Sequence, residues 1–158
     1  MKRWMVYLVL IAAVVLTGSL PFSSHDVGQL RPVETIFVQQ EDGRVLLAAD
    51  TGDTGAGEDW QTAMADLEAK APGTIFIGTA SFLLLDVSAA ELLPELLENR
   101  EFSPSCAVCF APEGLDLEDA GKYLRAHEPE ADIRTLRAEQ TPLPYLTQTD
   151  GGYLLVQP

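Results

Sequence analysis

The string DTGDTGAGED gathers four carboxylates, Asp50, Asp53, Glu58 and Asp59, among three glycines. Hard cations take such oxygen ligands, and calcium is abundant outside cells. The acids lack the alternating positions of an EF-hand loop and its terminal bidentate Glu, so the residues read first as a solvated loop. The glycines do not make a phosphate cradle either, because four carboxylates with no Lys or Arg among them repel an anion. A second candidate is Cys106-Ala107-Val108-Cys109, which has the CxxC spacing of dithiol redox sites. Redox chemistry needs the first thiol at a helix N-terminus, whereas SCAVCFAP reads as a strand. Three strand steps of about 3.3 Å carry the Cα atoms beyond disulfide reach and turn the side chains to opposite faces. Both cysteines therefore read as small buried apolar residues. His25 falls in a linker and His127 near a helix end, where an imidazolium suits the dipole. Two cysteines and two histidines are too few for a self-contained zinc site, and no GxSxG nucleophile string occurs. Catalytic, cofactor-binding and metal-ligating residues are accordingly expected to be none.

Asp50-Thr51-Gly52 follows the apolar Val45-Leu46-Leu47, with Ile75-Phe76-Ile77-Gly78 further on. This resembles the triplet and the later apolar-Gly element of retroviral-type aspartic peptidases. The resemblance implies an acid peptidase in which two copies of Asp50 share a proton across a dimer. Those enzymes are nearly all-β, and this chain has three amphipathic helical stretches between its strands. The two elements also lie too close together for that fold. The triplet reads primarily as a turn, with the peptidase as the alternative from the enzyme class and an exported calcium- or small-molecule-binding module as a third reading.

These residues must be positioned by a modest set of elements. VETIFVQQ and RVLLAADT flank Glu41-Asp42-Gly43, and Asp-Gly between β-rich runs is a strong hairpin signal. Gly52 to Gly57 read as a loop. Trp60, Ala63, Met64, Leu67 and Ala71 keep helical spacing until Ala71-Pro72-Gly73 ends the helix. TIFIG and SFLLLD are short apolar runs, the second with the density of a buried strand. Ser88-Ala89-Ala90-Glu91 fits a capping box for a helix striped by Leu92, Leu93, Leu96 and Leu97, which Pro94 kinks or restarts. After the cysteine strand, Asp116 to Asp119 open a helix carrying Leu117, Ala120, Tyr123 and Leu124 on one face. EADIRTLRAE fits either a further helix or an extended segment. TPLPYLTQ, Asp150-Gly151-Gly152 and YLLVQP form a closing hairpin. A hairpin followed by strands alternating with helices implies α/β: one sandwich domain on a mixed sheet with about three to four helices.

The N-terminus supplies an address. Lys2 and Arg3 precede WMVYLVLIAAVVLTGSLPF, and the first acid is Asp26. A helix from Trp4 to Leu20 rises about 25 Å, close to the hydrocarbon thickness of a bilayer. Basic residues before the run and acids after it predict a cytoplasmic N-terminus and an exported remainder. Thr17-Gly18-Ser19 offers small residues for signal cleavage, but the segment reads first as an uncleaved anchor. Either way the domain lies outside, tethered or secreted. The expected organisation is a signal-anchor over 1–22, a linker over 23–31 and an extracytoplasmic domain over 32–158. With 24 Asp and Glu against 10 Lys and Arg, the net charge of −14 makes nucleic acid a poor partner. The expected partners are the membrane, through the N-terminal helix, and another membrane or extracytoplasmic protein.

The order of pieces carries a further resemblance. An export signal is followed by a hairpin and helix, then FLLLD leading into AAELLPELLENREF with Asn99-Arg100-Glu101 at the helix end. SCAVCFAPEG comes next, then a helix ending at Leu124, and TPLPYL before DGGYLLV. This resembles the N-terminal domain of the Ger(x)C family, the C subunits of spore germinant receptors, over roughly Leu30 to Pro158. The resemblance implies a non-enzymatic, protein-contacting role on the outer face of a spore-former's membrane. Two features depart from the family pattern. Ser19 stands where the lipidated cysteine would be, and a hydroxyl cannot form the thioether. Family members also continue into further domains after the segment matched here.

Overall fold

The computed structural model describes Trp4, residues 30–139 and residues 141–158. Apart from Trp4, the anchor expected over 1–22 lies outside the described residues, as do His25 and all but the end of the expected linker. Among the described residues no helix is long and apolar enough to cross a membrane.

The fold begins with local signals that agree with their surroundings. β1 (Leu30–Pro32) leads into β2 (Thr35–Glu41), which pairs antiparallel with β3 (Arg44–Ala49) from Ile36↔Ala49 to Glu41↔Arg44. Asp42 and Gly43 turn the hairpin with φ of 49° and 73°, the two left-handed residues that a tight hairpin requires. β3 then pairs antiparallel with β4 (Thr54–Gly57), so the expected loop over Gly52 to Gly57 is corrected: only its start is a turn. The reason lies in the next element. α1 (Trp60–Lys70) packs so closely on β4 that a Cβ on Gly55 would lie 2.3 Å from the Ala63 carbonyl oxygen. One on Gly57 would lie 2.3 Å from the Ala63 nitrogen. TGAG has poor strand propensity because the helix leaves no room for side chains there.

α1 is opened by Asp59, whose carboxylate accepts from the Thr62 N–H while the Thr62 hydroxyl accepts from the Asp59 N–H. β5 (Thr74–Phe76) pairs parallel with β1 as a separate two-stranded ribbon, so the end of the expected linker is a strand. A 3-10 turn, Ile77–Thr79, leads to β6 (Phe82–Leu85), buried along its whole length between β2 and β7 (Ala107–Phe110).

The expected capping box at Ser88 is also corrected. Asp86 caps a 3-10 helix over Val87–Leu92, and the Ser88 hydroxyl instead accepts from the Gln40 N–H of β2. Pro94 then restarts the chain as α2 (Leu93–Glu98), in the first turn where a missing N–H costs nothing. α3 (Leu117–His127) opens at Asp116 as expected, and α4 (Ile133–Ala138) resolves EADIRTLRAE as helix, with an Asp132–Thr135 capping box. β8 (Tyr145–Thr149) and β9 (Gly152–Val156) form the closing hairpin.

The strands make a mixed seven-stranded sheet in the order β4-β3-β2-β6-β7-β8-β9, with β2, β6, β7 and β8 parallel. Alternation divides the core between two faces. Ile36, Val38, Val45, Leu47, Leu83, Leu85 and Val108 pack with Trp60, Met64, Leu67, Leu96 and Ile133 from α1, α2 and α4. On the other face Phe37, Phe82, Leu84, Cys109 and Leu146 meet Ala120 and Leu124 of α3. Over 30–158 the described residues are thus α/β, with a mixed sheet and four α-helices. Gly121 of α3 sits against the fully buried Thr35, whose hydroxyl has no hydrogen-bond partner among the described residues.

Candidate functional site

Asp50 stands at the end of β3, half-buried, with both carboxylate oxygens 3.2 and 3.3 Å from the Glu34 N–H. Burial raises its pKa above 3.8, partly offset by backbone hydrogen bonds from Glu34 and Thr35. Its neighbours are committed in the same way. Asp53 pairs with Arg31 at 2.9 Å and accepts from the Thr51 hydroxyl, and Arg125 reaches across from α3 to Glu34. These bonds tie the β3–β4 turn to β1 and to the link between β1 and β2, and tie α3 to that same link.

The four acids of DTGDTGAGED are therefore dispersed. Asp50 holds Glu34, Asp53 holds Arg31, Asp59 caps α1, and Glu58 is exposed. Among the described residues no group of three or more His, Cys, Asp or Glu is placed to hold a metal ion.

Cys106 and Cys109 are free thiols in the two separate core clusters, one on each face of the sheet, as alternation predicts. Burial pushes both thiols up to about 12. The thiolate is the reactive form. The folded protein is therefore expected to leave both unreacted with Ellman's reagent at about pH 8, where a free thiol near 8.5 reacts readily. Both should titrate after denaturation. Rapid reaction of one thiol in the native state would contradict this placement. His127 stacks on Tyr123 with ring centroids 3.9 Å apart, its Nδ1 2.8 Å from the Tyr123 carbonyl oxygen at the end of α3.

Four carboxylates, three of them helix caps, give stability a definite pH dependence. Asp59 is held below 3.8 by the Thr62 N–H and hydroxyl, Asp66 by Lys70 and the Ala56 N–H, and Asp86 by Ser88. At Asp132 burial pushes upward, but the bonds from Thr135 together with the charge and N–H of Arg134 outweigh it. Each binds its proton less tightly when folded, so its contribution is complete above about pH 4 and is lost as pH falls below that. Asp50 has the opposite sign. Tm is expected to fall as pH drops below about 4, and Asp132→Asn, which caps without titrating, should make the fall shallower. An unchanged slope in that variant would show that Asp132 does not contribute.

A different surface has the form of a contact site. α1 and α2 border a groove of about 470 Å³ with Trp60 and Met64 in its floor and Gln61, Ala65, Glu68, Glu95, Glu98, Asn99 and Glu101 around it. Trp60 is 3 % exposed and rests on Phe102, with ring centroids 5.5 Å apart. The lining carries no Lys or Arg, and among the described residues none of its four glutamates joins an ion pair. Arg137 is close by, but it donates to the Leu97 and Asn99 carbonyls and so closes the end of α2. Sequence reading did not single out this groove. The signal available was Glu95 and Glu98 at helical i,i+3 spacing; their approach to Glu68 is made only by tertiary packing.

No family model, curated protein or solved structure matches the chain.

Proposed function

We propose that the chain is a membrane-tethered extracytoplasmic domain that acts by contacting a partner protein, with no chemical step of its own. Its N-terminus lies in the cytoplasm and the α/β domain outside. The resemblance to the N-terminal domain of Ger(x)C proteins gives this reading its biological setting, a part in spore germination. The observation that carries it is the groove between α1 and α2: an apolar floor bordered by four glutamates with no cation among its lining residues. Such a surface suits a basic stretch of another protein, since opposite charge steers the encounter and the apolar floor holds it.

The aspartic peptidase is the alternative. It requires Asp50 to meet its counterpart in a second copy, whereas here its carboxylate holds the Glu34 N–H. The test uses full-length protein cross-linked in intact cells. Glu95→Lys combined with Glu98→Lys, both at exposed positions, should leave folding intact and remove the cross-linked complex. Asp50→Asn should retain it. Acid cleavage of peptides by the purified protein, blocked by a transition-state mimic and abolished by Asp50→Asn, would overturn the proposal.

A further inference from the structure

The β1–β5 ribbon has two unlike faces. Its parallel register sets Leu30 beside Thr74, Arg31 beside Ile75 and Pro32 beside Phe76. Arg31 and Ile75 turn inward: Arg31 bonds Asp53 and the Thr51 carbonyl, and Ile75 is 5 % exposed in the core. By alternation Leu30, Pro32, Thr74 and Phe76 share the outward face. All four are exposed, Leu30 at 39 % and Phe76 at 47 %. No charged side chain belongs to that face, in a chain with 24 acidic residues.

We propose that this outward face rests on the lipid bilayer that holds the N-terminal segment, at the boundary between headgroups and acyl chains. The inference deepens the tethered reading and rests on it. Residues 23–29 separate the expected anchor from Leu30, and seven residues span at most about 25 Å. The ribbon is therefore the part of the described domain that the chain itself keeps nearest the membrane. An anionic bilayer surface repels an acidic domain, so the face able to approach it is one without charge. An aromatic ring and an aliphatic side chain beside a proline suit the interfacial zone, where Phe and Leu partition from water. Two such side chains bind lipid weakly by themselves. The tether raises their effective concentration, so contact holds the domain's orientation and the anchor supplies the attachment.

The test is lipid-dependent fluorescence of full-length protein reconstituted into phosphatidylcholine vesicles. Thr74→Cys carries an environment-sensitive dye on the outward face, Glu118→Cys carries it on α3 as the comparison, and the native thiols stay buried. Spin-labelled lipid is expected to quench the dye at 74 at least about two-fold and to leave the dye at 118 unchanged. Phe76→Asp, or Leu30→Asp as an independent variant, should bring quenching at 74 down to the level at 118 with the thermal unfolding curve retained. Vesicle flotation without quenching at 74, or equal quenching at both positions, would overturn the contact and leave the tether standing. Failure to float with vesicles would overturn the tether and this inference together. A dye response at 74 that follows protein concentration instead of lipid would also overturn it, by assigning the face to protein contact.

Discussion

Gly55→Ala is expected to cost about 3 kcal/mol or more of folding stability, the upper range for overpacking. The new methyl group would lie 2.3 Å from the Ala63 carbonyl oxygen, 2.6 Å from Leu67 Cβ and 2.7 Å from the Leu67 nitrogen. Two of those three atoms are backbone, so rotamer changes give no relief; either α1 lifts or β4 leaves the sheet. For the same reason Leu67→Ala should fail to rescue the variant, and Gly57→Ala should behave like it, meeting the Ala63 nitrogen at 2.3 Å. Urea denaturation reads all of these as shifts in midpoint. A Gly55→Ala cost below about 1 kcal/mol would show that α1 does not seat directly on the β4 backbone.

Leu83→Ala is the second large effect, at about 3–4 kcal/mol. Leu83 is fully buried on β6, opposite Ile36 of β2 and Val108 of β7, in the core covered by α1, α2 and α4. Strands on both sides and helices above limit collapse around the lost side chain, so the cavity persists and adds to the lost transfer energy. The measurement is the same denaturation midpoint, with an unchanged urea dependence showing that the native state keeps its extent. A cost near 1 kcal/mol would mean that the layer above β6 closes over the gap.

The fold was legible in the sequence wherever local preference and tertiary demand coincided. The Asp42-Gly43 hairpin, the strand FLLL, the strand that starts just after Cys106 and holds Cys109, and α1 from Trp60 all carry periodicity or turn chemistry that the packing then uses. β4 was illegible because Gly55 and Gly57 are required by α1, and glycine there signals a loop when the helix is unseen. At Ser88 the cap pattern is present, but the Asp86 carboxylate accepts from the Ser88 N–H, and the Ser88 hydroxyl accepts from the Gln40 N–H of β2. The β1–β5 pair joins three-residue strands far apart in the chain, too short for any period to show.

The candidate site divides in the same way. Asp50 as a turn residue was legible from DTG chemistry, although its grip on Glu34 was not. The groove was illegible because Glu68 and the α2 acids come together only when two helices pack on one sheet face.

The central claim is that an apolar N-terminal segment holds an acidic α/β domain on the outer side of a membrane. Protease added to intact cells with an exposed outer membrane face, expressing the full-length chain with a C-terminal tag, tests it most directly. The tag is predicted to be removed without lysis, while the chain sediments with membranes and leaves them only in detergent. A tag that stays protected until the cells are broken, on a chain recovered in the cytosolic supernatant, would contradict the claim.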